Sequence, residues 1–253
     1  MVNNSRYRTI INAGGCSRRI AHLTRDKPKS FLEINGKRLI EYTLDYLSEQ
    51  GISDVTFSIG YMKDYFMRTI GRNRGSLNID YVVDENYESG GHGWGIYVTR
   101  ESWAKDKKDA LWIDADNFYE PAILDNLIRF EGENVVIIDK NPRNKNLEEE
   151  LVLGRNGIVT GFKRGVHSKE SESAGEFLGM SKFSRDFMEK LYNYMEKYFE
   201  ERGPNHKYER VLNDFIKDTG ERVSYSDCGK LFLININTEE DYKRAKEQHR
   251  RIK

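Results

Sequence analysis

The sequence predicts an α/β fold: a doubly wound, mostly parallel mixed sheet carrying a small β-hairpin and helical subdomain. Three observations predict it. Short β-rich runs alternate with amphipathic helical runs through the first 140 residues, the signature of βαβ units joined by right-handed crossovers. The first apolar run stops at paired glycines, Gly14 and Gly15. The second half opens with a tight-turn signal, Asn156-Gly157, between two apolar runs, as a hairpin requires.

In chain order, residues 7–13 read as a buried strand. Leu39, Ile40, Thr43, Leu44 and Leu47 fall at helical spacing, and Gly51 supplies a stop. Residues 55–59 are a second strand, 62–70 a helix, 79–83 a third strand and 95–103 a helix. Residues 110–113 form a fourth strand, 121–130 a helix with Pro121 in its first turn, and 135–138 a fifth strand. A polar loop is expected over 141–150, the hairpin over 151–160 and another polar loop over 167–175. Strand 177–183, helix 185–201 up to Gly203-Pro204, helix 208–217, strands 222–225 and 231–236, and a last helix 239–252 complete the reading. The expected organisation is one domain over 1–253. Residues 1–140 form its first half, 141–230 a subdomain and 231–253 a closing strand and helix.

The chain has 253 residues, with 41 Lys plus Arg against 41 Asp plus Glu. Zero net charge argues against general nucleic-acid binding, which needs an excess of cations. No signal peptide and no run long enough to span a membrane is expected. Cys16 and Cys228 show neither disulfide nor metal spacing. A reduced, cytoplasmic protein follows as the expectation.

The charge is unevenly spread. Residues 5–38 hold nine bases, Arg6, Arg8, Arg18, Arg19, Arg25, Lys27, Lys29, Lys37 and Arg38, against two acids, Asp26 and Glu33. Paired glycines after a strand let backbone N–H groups approach phosphate oxygens. Arg18 and Arg19 add multi-donor charge, and Lys27 and Lys29 add point charges. Neither G-x-G-x-x-G nor G-x-x-x-x-G-K-[ST] occurs here. Farther on, Asp114 and Asp116 end an apolar strand at i and i+2, spacing that turns both to one side. Mg²⁺ takes one or two such carboxylates together with phosphate oxygens, although a D-x-D also occurs in sugar-nucleotide glycosyltransferases.

These blocks, Ala13-Gly14-Gly15-Cys16-Ser17-Arg18-Arg19, Lys27-Pro28-Lys29 and Gly36-Lys37-Arg38-Leu39-Ile40, resemble the opening pattern of the GT-A-like nucleotidyltransferase superfamily. The resemblance implies a Rossmann-like nucleotidyltransferase fold and transfer of a nucleoside monophosphate from an NTP to a phosphorylated acceptor. It places base and phosphates on Asn12, Ala13, Gly14, Gly15, Cys16 and Ser17. Lys29, Arg18 and Arg19 become the catalytic cations, with Asp116 as the magnesium aspartate and Asp114 beside it. Cys16 occupies a variable position of the pattern, which argues against a catalytic thiol. Asn237, in Asn235-Ile236-Asn237-Thr238-Glu239, stands where many members carry a second metal aspartate, and Asn237 or Thr238 also reads as a helix cap.

Two later segments, Gly175 to Ser184 and Tyr208-Glu209-Arg210-Val211-Leu212, are similar to phosphocholine-type cytidylyltransferases. This implies CTP, Mg²⁺ and a small phosphorylated or phosphonate acceptor, and products that feed capsule or cell-surface polysaccharide pathways. Phosphocholine, aminoethylphosphonate, a polyol phosphate and a phospho-amino acid all stay open as acceptors. A departure lies at Ser89-Gly90-Gly91-His92-Gly93-Trp94-Gly95, which replaces an Asn-rich segment. Gly91, His92 and Gly93 are expected to approach the nucleotide. Trp94, Lys163, Glu176 and Tyr208 are expected at the acceptor, and Tyr97 and Trp112 are further candidates for an aromatic wall suited to a quaternary ammonium. A guanylyl- or sugar-1-phosphate nucleotidyltransferase, a glycosyltransferase and a non-catalytic nucleotide-sensing subunit remain as alternatives. A homodimer is also left open.

Overall fold

A computed structural model describes residues 4–141, 149–165 and 173–249. The chain runs through β1 (Tyr7–Asn12), a short arm β2 (Glu33–Ile34) and β3 (Lys37–Arg38), α1 (Leu39–Glu49), β4 (Asp54–Ile59), α2 (Lys63–Ile70), β5 (Asn73–Arg74) and β6 (Leu77–Val83). It continues with α3 (His92–Tyr97), α4 (Arg100–Ala104), β7 (Asp109–Asp114), β8 (Asn117–Tyr119), α5 (Pro121–Arg129) and β9 (Val135–Asp139). The hairpin β10 (Glu149–Arg155) and β11 (Ile158–Gly165) follows, then β12 (Ser173–Phe183), α6 (Arg185–Arg202) and α7 (Tyr208–Thr219). β13 (Ser224–Asp227), β14 (Leu233–Asn235) and α8 (Glu239–His249) close it.

The predicted α/β class holds. β1 lies between β4 and β7, and β6 extends the set beyond β4, all parallel. β12 then runs antiparallel between β7 and β9, and β13 joins β9 in parallel. β1 is buried along almost its whole length, Arg8 and Thr9 included, because helices cover both faces of a parallel strand. Ile11, Val55, Phe57 and Ile113 pack under α1, α2 and α5 through Leu44, Leu47, Phe66 and Leu127. Their strand neighbours Ile10, Ala110 and Trp112 face the opposite way, onto Ile96, Trp103, Phe187, Leu191, Leu212 and Phe215. Among the described residues, no helix is long and apolar enough to cross a membrane.

A third, smaller core serves the site directly. Ile20, Leu32, Ile34 and Leu39 from the basic segment pack against Phe118, Phe232, Ile236 and Ala245. The basic loop and the start of α8, over 200 residues apart in sequence, therefore share one apolar anchor.

Several elements differ from expectation. Residues 95–103 form two helices, α3 and α4, and α3 begins at His92, inside the glycine run. Strand 231–236 shortens to β14, which pairs with β8 in a separate two-stranded ribbon. The strand expected at 222–225 sits at Ser224–Asp227. β12 starts at Ser173, inside the predicted polar loop, whose residues 167–172 lie outside the described residues. Loop 141–150 is described at Asn141 and from Glu149 onward, where β10 already begins. The last helix is described to His249. The hairpin turn is as predicted: Asn156 and Gly157 adopt φ 54° and 80°, the paired positive values of a two-residue turn.

Candidate active site

A cleft of about 1090 Å³ opens beyond the carboxyl ends of β1 and β7, where open α/β sheets bind ligands. The loop after β1 supplies Asn12, Ala13, Gly15, Cys16, Ser17, Arg18 and Arg19 to its wall. Ser17 takes a left-handed conformation, φ 51°, and starts a tight turn over Arg18–Ile20. Ile20 is buried in the third core, so the turn is pinned on one side and presents Arg18 and Arg19 on the other. Lys29 is placed by a similar device. It opens a turn over Lys29–Phe31 whose Ser30 and Phe31 are buried. Burying one such phenylalanine contributes about 2–3 kcal/mol, which fixes the Lys29 backbone.

These cations meet the two metal candidates. The Lys29 ammonium forms a salt bridge with Asp116 Oδ2 and donates to Asn237 Oδ1 at 3.1 Å. Arg19 donates to the same Asn237 oxygen at 2.8 Å. Asn235 Nδ2 donates to Asp116 Oδ1 at 2.9 Å, and Asn237 Nδ2 donates to Asn235 Oδ1. Both polar side chains of β14 and its exit thus steer oxygens toward one point. Thr238, not Asn237, takes the capping role: its hydroxyl accepts from the Asp241 N–H at 3.2 Å, and Asp241 Oδ2 accepts from the Asn237 and Thr238 N–H groups. Asn237 is therefore left to the cleft. Asp116 and Asn237 form an all-oxygen donor pair, the chemistry that suits Mg²⁺, and the ammonium between them shows that the spot takes a cation.

Asp114 is half-buried beside this group. Burial, then the charges of Asp116 and Glu209, push its carboxyl well above the usual carboxylate range. Gly179 leaves the room it needs: φ is +65°, and a Cβ there would fall on the Asp114 carboxylate. His92 faces solvent in the cleft. The protein packed around its ring lowers the imidazole pKa, against the pull of Asp116. Burial raises the Cys16 thiol pKa, opposed by Arg18, so the thiol is held protonated and unreactive.

The structure does not bring every predicted residue to the cleft. Gly14 packs against Gly60 and Ile59 instead of lining it. The Gly91 N–H donates to the Pro204 carbonyl at 2.9 Å and the Gly93 N–H to the His206 carbonyl at 3.0 Å. A Cβ on Gly91 would run into the His206 backbone, and one on Gly93 would come within 2.9 Å of it. These glycines let the α6–α7 connection close over α3, and their amides are already spent. Trp94 packs between Tyr97 and Phe199, centroids 5.2 and 5.3 Å away. Tyr208 is 2% exposed against Trp112 and Phe177. These aromatics belong to the core and make no aromatic wall. Lys163 is exposed on β11, and strand alternation gives its neighbour Arg164 to the cleft instead.

Glu176 does line the cleft. Burial pushes it up to about 8, reinforced by Glu149 and Asp139. Sequence reasoning missed its company: Glu149 and Glu150 at the start of β10, and Lys207 and Glu209 at the start of α7. Glu209 lay in a recognised segment, but only the packing of α7 shows that it faces the cleft. The cleft thus carries cations on the glycine loop and, away from it, carboxylates from β10, β12 and α7 interspersed with Arg164, Lys207 and Arg244.

The chain is similar to several known nucleotidyltransferases. A choline-phosphate cytidylyltransferase of Streptococcus pneumoniae is 25% identical over 242 residues, covering 95% of this chain and 97% of the relative. A D-glycero-α-D-manno-heptose 1-phosphate guanylyltransferase of Aneurinibacillus thermoaerophilus is 22% identical over 246 residues, 94% of this chain and 96% of the relative. The solved inositol-1-phosphate CTP transferase from T. maritima superposes with a TM-score of 0.76 at 17% identity, covering 98% and 97% of the two chains. Residues 9–196 match the model of the MobA-like NTP transferase domain. The match spans well over half of the sequence, and the chain belongs to the MobA-like NTP transferase family and is a nucleotidyltransferase.

Proposed function

We propose that the chain transfers CMP from CTP to a small phosphorylated or phosphonate head group, releasing pyrophosphate in a magnesium-dependent reaction. The observation that carries the reading is the Lys29 ammonium held between Asp116 and Asn237, with Arg19 on the same oxygen. The near full-length likeness to a cytidylyltransferase supports CTP as the donor. The likeness to a guanylyltransferase over a similar span supports GTP as the second reading.

Asn12, Ala13, Gly15, Cys16 and Ser17 of the glycine loop cradle the nucleotide, and His92, whose carbonyl accepts from Asn12 at 3.3 Å, lies beside them. Asp116 and Asn237 would hold Mg²⁺, with Asp114 behind them. When bound, the ion supplies charge neutralisation at phosphate oxygens. Lys29, Arg18 and Arg19 bind the triphosphate and stabilise the charge that builds on the departing pyrophosphate as the acceptor oxygen attacks the α-phosphorus. The acceptor phosphate is already anionic at neutral pH, so positioning and electrostatics suffice without a general base. The acceptor occupies the acidic end, near Glu176. The protein acts in the cytoplasm, where CTP is available.

Two measurements test this. Lys29→Ala is expected to lower pyrophosphate release by about a hundredfold or more with the melting temperature little changed. Near-normal turnover in that variant would sink the assignment. A panel of NTPs with Mg²⁺ should raise the melting temperature most with CTP. GTP in that place would select the guanylyl reading.

A further inference from the structure

The cations Arg18, Arg19 and Lys29 account for the phosphates of a nucleotide and leave its base unaddressed. A second stretch of the cleft wall, Tyr87, Glu88 and Gly90, comes from the turn after β6 and lies beside the glycine loop. The turn is firmly built. Asp84 is 4% exposed. Its N–H donates to the Ile59 carbonyl at 2.8 Å, and its carboxylate accepts from the Asn86 N–H at 2.8 Å. The Gly90 N–H closes the turn on the Asn86 carbonyl. Tyr87 then stands on Gly60, the residue after β4: a Cβ there would lie 2.3 Å from the Tyr87 Cβ and 2.5 Å from its Cγ. A Cβ on Gly14 would come to 3.8 Å from the same side chain. Two glycines thus floor the tyrosine, which stays half-buried and lines the cleft.

The charge along this wall changes. The Cys16 thiol feels both Arg18 and Glu88, so the glycine loop has cations next to it in sequence and a carboxylate next to it in space. Glu88 is exposed, and its Oε1 accepts from the Tyr87 hydroxyl at 3.2 Å. Among the described residues, no Lys or Arg forms a salt bridge with it. A phosphate is repelled there, and a planar group with an N–H to give is favoured. An aromatic face stacks on any base, and a carboxylate accepts from an amino group such as N4 of cytosine. Uracil presents an oxygen at that position and is repelled. Phe177 and Phe232 also line the cleft, but both are almost wholly buried, and Tyr87 is the most open of the three.

We propose that Tyr87 and Glu88 form the base subsite: the tyrosine ring stacks on the base, and the Glu88 carboxylate accepts from its exocyclic amine, the 4-amino group that sets CTP apart from UTP. The inference rests on the nucleotidyl-transfer reading above and adds the residues that choose the nucleotide. Both act through nucleotide affinity and neither takes part in the displacement at phosphorus. Guanine also carries an exocyclic amine, so the test includes a pair for each base.

Isothermal titration calorimetry with Mg²⁺ and no acceptor compares CTP with UTP and GTP with ITP, the second of each pair lacking the amine. The unmodified protein is expected to bind CTP about tenfold or more tighter than UTP. In Glu88→Gln, whose carboxamide can present either an oxygen or an N–H, that ratio should fall to about threefold or less. Glu88 is exposed, so this variant is expected to fold, and its melting temperature checks that. Tyr87→Leu should weaken CTP and UTP alike by about tenfold, and Tyr87→Phe, which keeps the ring, should return CTP to within about threefold of the parent. Equal affinity for CTP and UTP overturns the subsite, as does an undiminished ratio in Glu88→Gln or an unchanged affinity in Tyr87→Leu. GTP in first place, with a preference over ITP that Glu88→Gln removes, keeps the subsite and selects the guanylyl reading. Binding of all four nucleotides alike removes the subsite and leaves nucleotidyl transfer intact. Binding of none of them overturns both readings.

Discussion

Glu209 makes a stability prediction whose size can be worked out. Its carboxyl is pushed from 4.5 to about 7, first by burial and then by Glu150. A tenfold change in proton affinity is worth about 1.4 kcal/mol, so ionising Glu209 in the folded, ligand-free protein costs about 3 kcal/mol. The sign follows from linkage. Between pH 4.5 and about 7 the folded state keeps a proton that the unfolded chain has lost, so stability from this group declines as pH rises through that window and is flat above it. Glu209→Gln keeps the shape and deletes the titration. Urea unfolding followed by tryptophan fluorescence, at pH 5 and pH 8, reads the difference. The variant should gain on the parent by about 2–3 kcal/mol between those two values. Curves that stay parallel within about 0.5 kcal/mol would refute the reasoning, because they would mean that Glu209 ionises without cost in the folded protein.

Three further outcomes are expected. Asp116→Asn, which removes the charge facing Lys29, should lower pyrophosphate release by about a hundredfold or more and abolish Mn²⁺ binding read by electron paramagnetic resonance. Gly179→Ala forces a side chain into a positive-φ position and onto the Asp114 carboxylate. It should cost about 2 kcal/mol or more in urea unfolding and reduce turnover along with it. Cys16→Ala should keep turnover within about threefold, because burial holds the thiol protonated, and a large loss would assign the sulfur a role.

β9, Val-Val-Ile-Ile-Asp, was legible because a strand covered on both faces leaves a continuous apolar run, and β1 and β4 were legible from their β-branched and aromatic residues. The glycine run at 90–95 was not. Glycine reads as loop in a sequence, but here Gly91 and Gly93 are dictated by a backbone that arrives from residues 204–206. The aromatic residues were misplaced for a related reason. Composition shows that Trp94 and Tyr208 are large and apolar, and only the packing of α3, α6 and α7 decides that they face the core. The nine-base segment was legible as charge and illegible as a site. Arg6 and Arg8 are neutralised by Asp109 and Asp106, and Lys37 and Arg38 by Asp45 and Glu41. Three of these four acids lie on other elements of the fold, so the sequence excess overstates what reaches the cleft: Arg18, Arg19 and Lys29.

That reduced set gives a reason for asparagine at 237. The carboxamide oxygen of Asn237 already accepts from both Arg19 and Lys29, and Lys29 also carries the charge of Asp116. A second carboxylate at 237 would hold a divalent cation more firmly. It would also cancel a positive charge at the end of the cleft where Arg18, Arg19 and Lys29 gather. With zero net charge over the whole chain, the affinity for an anionic nucleotide has to come from local imbalance. An oxygen ligand without charge preserves that imbalance, and under the proposed magnesium-dependent reading it leaves Asp116 as the principal anchor for the ion.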